Sequence, residues 1–72
     1  MNLLIDIGNS KSKIAITKDY TILKEIHSSG KLIKKIKELF SNYKITHSSL
    51  SNFSIPNIKL MEFLNTNSYF FD

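Results

Sequence analysis

The sequence predicts a small α/β domain with its elements in the order β-β-β-α-β-α-β. Three observations predict this class. Short aliphatic and alternating runs fill the first 27 residues, and apolar residues then recur at helical spacing over residues 30–44. A fourth strand and a second helix follow. The aromatic run Tyr69-Phe70-Phe71 begins one more strand near the end of the sequence, so we expect a mixed sheet that is incomplete.

The first 27 residues contain three predicted strands. Asn2 to Ile7 is an aliphatic run that ends at Gly8-Asn9, which is typical of a buried strand followed by a turn. Ile14 and Ile16 alternate with Lys13, Ala15 and Thr17, and Asp19-Tyr20 separates this segment from a third run, Thr21 to His27. Short turns between such strands predict an antiparallel meander.

The next elements alternate between helix and strand. Ser28, Ser29 and Gly30 end the third strand and offer a helix start. We expect residues 45–50 to form a fourth strand, residues 52–54 a loop, and Pro56 the first position of a short helix that ends at residues 65–67. The apolar positions of the first helix are Leu32, Ile33, Ile36, Leu39, Phe40 and Tyr43.

Composition limits the kind of protein. Seventy-two residues suit one domain, residues 1–72, and the absence of cysteine excludes disulfides and thiolate metal sites. The net charge is +4, and all ten basic residues are lysine. No signal sequence and no apolar stretch of about 18 residues is present, so we expect a cytoplasmic protein without a membrane segment.

One turn has the residues needed for phosphate chemistry. Asp6-Ile7-Gly8-Asn9-Ser10 joins the first two strands. A glycine there allows a positive φ and a close approach of the backbone to a phosphate, and Ser10 and Asn9 add side-chain donors. The Asp6 carboxylate would repel a bare phosphate, but it suits a Mg²⁺ ion between it and a nucleotide. The alternative is a hairpin turn whose residues serve only backbone geometry.

This segment resembles the N-terminal phosphate motif of type III pantothenate kinases. The resemblance covers Asp6 to Ser10, the strand Lys13-Ile14-Ala15-Ile16 and, less closely, Ser48-Ser49-Leu50 at the end of a fourth strand. These kinases belong to the actin-like, sugar-kinase superfamily. The resemblance implies a ribonuclease-H-like (actin-like ATPase) half-domain, in which the element order β-β-β-α-β-α-β is expected.

The resemblance also implies an activity and a set of ligands. The family phosphorylates pantothenate with ATP in coenzyme A biosynthesis, uses Mg²⁺ and a monovalent cation, K⁺ or NH₄⁺, and forms homodimers. Asp6 would serve the Mg²⁺–phosphate arrangement. The Gly-x-Asp-Arg segment of the family is absent, so we expect a truncated piece with no catalytic residue and no kinase activity alone. The implied ATP-phosphate loop consists of Asp6, Ile7, Gly8, Asn9, Ser10, Lys11, Ser12 and Lys13.

Two other functions remain open at this stage. The chain could be a small basic α/β module that binds nucleic acid or an acidic protein partner, although the missing arginine disfavours nucleic acid. It could also be a protein-interaction domain whose turn is only a turn. We expect His27 and His47 to be structural or exposed, Ser48, Ser49 and Ser51 to be polar strand ends, and Tyr69, Phe70 and Phe71 to be core residues. The lysines of the first helix region are Lys31, Lys34, Lys35, Lys37 and Lys44.

Overall fold

The structure is a computed structural model that describes residues 1–8, 10–52 and 57–71. Its element order confirms the predicted order of strands and helices. The elements are β1 (Asn2–Ile7), β2 (Ser12–Lys18), β3 (Thr21–Ser28), α1 (Leu32–Asn42), β4 (His47–Asn52), α2 (Ile58–Asn67) and β5 (Tyr69–Phe71).

The five strands form one mixed sheet in the order β3-β2-β1-β4-β5. β1, β2 and β3 are antiparallel, which confirms the predicted meander, whereas β4 pairs parallel with β1 and β5 pairs parallel with β4. The two parallel steps need crossover connections, and α1 and α2 supply them. The meander turn at Asp19-Tyr20 has φ values of 51° and 66°, as the two central residues of a type I′ hairpin require.

Both helices pack on one face of the sheet. Leu3 and Ile5 of β1 are buried in the same cluster as Ile36 of α1 and Leu60 of α2. Leu4, between them, points to the other face and is 44% exposed. The prediction that β1 is a buried strand therefore holds for one of its faces, because strand side chains alternate and the described elements cover only that face.

The predicted face of α1 is confirmed. Ile36 and Leu39 are buried, and the other apolar residues of that face pack against the core. Phe40 meets Phe63 of α2 edge to face, with ring centroids 5.2 Å apart, so the two helices also contact each other. The other partly buried apolar residues of α1 and its C-terminal cap that pack on the core are Leu32, Ile33 and Tyr43.

Element boundaries differ from the prediction at both helix starts. Ser28 does not cap α1; its hydroxyl donates to the Gly30 carbonyl and accepts from the Gly30 N–H, so Lys31 becomes the N-cap without a side-chain bond. α2 starts two residues beyond the predicted position, because the Asn57 side chain caps the helix by accepting from the Leu60 N–H. Pro56 and residues 53–54 of the predicted loop lie outside the described residues.

The predicted end of α2 is confirmed, whereas the bounds of β4 shift. α2 ends at Asn67, within the predicted residues 65–67, and β4 covers His47–Asn52 rather than residues 45–50. In β5 only Phe70 packs against the core, while Tyr69 and Phe71 are 72% and 60% exposed on the other face. The expectation that all three aromatic residues are core is wrong for these two, because alternation places them on the open face.

The Ser48 hydroxyl, buried between β4 and α2, is hydrogen-bonded through a second serine hydroxyl, that of Ser68. Ser68 Oγ donates to the Leu64 carbonyl at 2.6 Å, so the hydrogen bond of 2.7 Å between Ser48 Oγ and Ser68 Oγ must be donated by Ser48. Ser48 is only 2% exposed. These two hydroxyl groups thus tie the start of β4 to the end of α2 without leaving the Ser48 hydroxyl unpaired.

Neither helix in the described part of the chain combines the length and the apolar character needed to span a membrane.

Neighbouring leucines of β1 provide a test of the one-sided core. Leu3→Ala should lower the free energy of unfolding by about 2–5 kcal/mol, because it removes a side chain with no exposed surface from the centre of the sheet. Leu4→Ala, the control at the adjacent position, should cost much less. Urea unfolding of both variants measures the difference, and equal losses would contradict the one-sided arrangement.

Candidate functional site

The candidate site is the hairpin turn between β1 and β2. The Gly8 N–H donates to the Lys11 carbonyl at 2.9 Å, and the next ladder pair inward is Ile7 with Ser12. The turn is therefore a short connection closed by Gly8 and Lys11, and Ser10 and Lys11 are both exposed. Asn9, predicted as a phosphate donor, lies outside the described residues.

Gly8 is required for a different reason from the one predicted. Neither glycine of the chain has a positive φ, so the expected left-handed glycine is not found. A Cβ atom at Gly8 would lie 3.0 Å from the Lys11 carbonyl oxygen, which is tighter than ordinary contact. The Gly8 N–H is also used inside the turn, so among the described residues of the turn the groups left to donate to a phosphate are those of Ser10 and Lys11.

Alternation separates the predicted loop residues onto two faces. Asp6 and Lys13 are ladder partners and lie on the open face of the sheet, where both are exposed. Ile7 and Ser12 are the next ladder pair and point to the helix-covered face, where Ile7 packs against the core. Of the predicted loop residues that lie in β1 and β2, Asp6 and Lys13 are therefore the two whose side chains could contact a ligand on the open face.

Lys13 forms an ion pair with Glu25, a residue outside the predicted phosphate loop. Its ammonium Nζ lies 3.4 Å from Glu25 Oε1 on β3, and His27 Nε2 lies 3.0 Å from the same oxygen. Lys13 is the ladder partner of His27, so Glu25 is its diagonal neighbour on the open face. These contacts lower the pKa of Glu25: the hydrogen bond from His27 is the largest cause, and the one from Lys13 is the second.

The parallel strand β4 adds a second residue to the Asp6 environment. Ser51 is the ladder partner of Asp6 on the side away from Lys13. A groove of about 540 Å³ runs over this part of the open face, with an apolar floor at Leu4 and Ala15. Its polar lining consists of Asp6, Lys13, Glu25, Ser49 and Ser51.

A Mg²⁺ ion would find one carboxylate ligand here. Within residues 1–8, 10–52 and 57–71, no three His, Asp or Glu side chains converge to form a metal cage. A single carboxylate fits Mg²⁺, which keeps several waters and is commonly completed by substrate phosphates. The exposed Asp6 carboxylate therefore fits a nucleotide-linked ion, but not a closed structural metal site.

No signal in the linear sequence links Lys13 to Glu25 or Asp6 to Ser51. The first link depends on the register of β2 and β3, and the second depends on the parallel pairing of residues 45 apart. His27 is exposed, as predicted. His47 is also exposed, and its ring lies parallel to that of Phe71 with centroids 6.3 Å apart.

Gly8 offers a test of the turn geometry. Gly8→Ala should lower the free energy of unfolding by about 1–3 kcal/mol, because the new Cβ must displace the Lys11 carbonyl. Gly30→Ala is the matched control, since no atom lies within 4 Å of a Cβ built there. Equal effects in chemical denaturation would contradict the steric account of Gly8.

Glu25 offers a test of the ion-pair cluster through pH. A carboxyl whose pKa is lowered on folding stabilises the folded state above its unfolded pKa, and this stabilisation is lost as the pH falls through the folded pKa. Glu25→Gln should therefore lower the urea concentration at the unfolding midpoint at about pH 6. The difference in this midpoint between the variant and the parent protein should vanish near about pH 2. Glu62→Gln, at an exposed position of α2, is the control; a pH-independent Glu25→Gln effect would contradict the cluster.

Comparison with family models, with curated proteins and with solved structures finds no match to this chain. What is shown is thus a small mixed α/β domain with a five-stranded sheet and two helices, whose candidate site lies at the β1–β2 turn.

Proposed function

We propose that this chain is the N-terminal, ATP-phosphate-binding part of a type III pantothenate kinase-like enzyme with a ribonuclease-H-like fold. The observation that carries the proposal is the segment Asp6-Ile7-Gly8-Asn9-Ser10 together with its place in the fold. It ends a central strand and forms the first hairpin turn, with the Asp6 carboxylate exposed. The observed element order is also the one expected for that half-domain, which supports the proposal.

Each described residue of the turn has a role in this proposal that its geometry permits. Asp6 would hold Mg²⁺ through its exposed carboxylate, directly or through water. Ser10 and Lys11, both exposed, would donate to phosphate oxygens, and Gly8 allows the close approach of its own backbone to the Lys11 carbonyl. Bound Mg²⁺ would neutralise charge on the phosphate groups during transfer to pantothenate.

The remaining assignments follow from the same proposal. The substrates are ATP and pantothenate, the pathway is coenzyme A biosynthesis, and a monovalent cation, a homodimer and a cytoplasmic location belong to the whole enzyme. Transfer also needs an acceptor site and a base around the γ-phosphate, and the turn alone supplies neither. The contribution of residues 1–72 is therefore to bind and orient the phosphates.

A second candidate function rests on the charge of α1. Lys31, Lys34 and Lys37 are exposed along this helix region and could bind nucleic acid or an acidic protein. Lys37 also lies over the ring of Phe63, with its ammonium 5.7 Å from the centroid, so part of its role is structural. Nucleic-acid binding that weakens steeply with salt would favour this candidate, because lysine–phosphate contacts release counterions.

Substitution of Asp6 tests the proposed kinase function. In the intact gene product, Asp6→Asn should lower the rate of pantothenate phosphorylation by about 100-fold or more, because the carboxylate that would hold Mg²⁺ against the phosphate groups is lost. The fold should be retained, since Asp6 is exposed. The measurement is ATP-dependent formation of phosphopantothenate, with the unfolding midpoint followed in parallel.

Asp19→Asn is the matched control, because Asp19 is an exposed carboxylate in the β2–β3 turn. It should leave the rate unchanged. Full activity of the Asp6→Asn protein would remove the role of Asp6, and a parent protein that does not phosphorylate pantothenate would overturn the proposed function.

A further inference from the structure

Lys13 stands between two carboxylates on the open face. Asp6 is its direct ladder partner on β1, and Glu25 is a diagonal neighbour on β3. Directly opposite side chains of an antiparallel pair are closer than diagonal ones, so the nearer position belongs to Asp6. Yet the Lys13 ammonium pairs with Glu25 at 3.4 Å, and Asp6 forms no ion pair with any residue that the structure describes.

Two cationic or donor groups converge on one oxygen of Glu25. Lys13 Nζ and His27 Nε2 both approach Oε1, so the carboxylate is contacted from β2 by Lys13 and from its own strand by His27. Exposed ion pairs are individually weak, so a small difference in free energy decides which of two carboxylates a flexible lysine pairs with. His27 gives Glu25 a second partner at the same oxygen that Lys13 approaches.

We propose that Glu25 is a positioning residue that holds Lys13 away from Asp6 and thereby keeps the Asp6 carboxylate free for a divalent cation. The inference rests on the proposed function, because the cation is the Mg²⁺ ion assigned to Asp6 there. An ammonium and a metal ion compete for the same carboxylate oxygens. Without Glu25, Lys13 would turn to its direct partner and occupy them.

A first experiment measures the Lys13 pairing without any metal. The coupling between Asp6 and Lys13 is obtained by urea unfolding of Asp6→Asn, Lys13→Met and the double variant, in the parent and in a Glu25→Gln background. In the parent protein, the effects of the two substitutions on the free energy of unfolding should be additive. In the Glu25→Gln background the pair should raise the folding equilibrium constant by about 2- to 5-fold, the range of an exposed ion pair.

A second experiment measures the consequence for the cation. In the intact gene product, titration with Mg²⁺ alone, followed by the NMR signals of the β1–β2 turn, should show several-fold weaker binding for Glu25→Gln. Adding Lys13→Met to that variant should restore the parent affinity. Lys24→Met is the charge-matched control, because Lys24 lies on β3 but lines a groove on the helix-covered side.

The two readouts separate failure of the inference from failure of the proposed function. Equal Asp6–Lys13 coupling in both backgrounds, or rescue by Lys24→Met as complete as rescue by Lys13→Met, would overturn the positioning role of Glu25. Absence of Mg²⁺ binding by the parent protein would overturn the metal role of Asp6 and the inference that depends on it. Background-dependent coupling together with selective rescue by Lys13→Met supports both.

Discussion

Burial of Leu3 and Ile5 beneath the two helices is the constraint on which the other features of this structure depend. β1 is the central strand, and these two side chains lie in one cluster with residues from β2, β4, α1 and α2. Because strand side chains alternate, fixing this pair on the covered face fixes Leu4 and Asp6 on the open one. A slip of one residue would bury the Asp6 carboxylate and expose the core.

The same constraint gives the open face its character. Ladder pairing carries the alternation from β1 to its neighbours, so Lys13 of β2 and Ser51 of β4 lie beside Asp6. Apolar side chains share this face, with Tyr69 and Phe71 at one edge. A polar cluster close to the turn and an aromatic edge at the other side therefore occupy one continuous surface, and only the polar end belongs to the candidate phosphate site.

The candidate site differs from a simple phosphate cradle. Its glycine uses the N–H within the hairpin, so the turn gains rigidity and loses one backbone donor. The lysine that is the ladder partner of Asp6, Lys13, pairs with Glu25. Both features leave an exposed turn beside a carboxylate that forms no ion pair with the described residues, and the proposed binding of Mg²⁺ and phosphate oxygens depends on that carboxylate.

Local patterns in the sequence determined which segments form strands and helices. Period-2 alternation in residues 13–17 and the helical spacing of Ile36 and Leu39 depend only on neighbours along the chain, and both predictions are confirmed. The turn at Gly8 could be located in the same way. Helix starts were less predictable, since the cap of α2 is Asn57 rather than the position favoured by Pro56, and two residues predicted for the core proved exposed.

Only the tertiary structure decided which face of the sheet is covered and which residues meet across it. The pairing of Lys13 with Glu25 and the approach of Ser51 to Asp6 depend on strand register, which joins residues 12 and 45 positions apart. No local pattern encodes such a distance along the chain, because register is set by burying one alternating set of side chains against both helices at once. The sequence by itself determined the order of the elements and the residue types at the turn, and packing determined the environment of the Asp6 carboxylate.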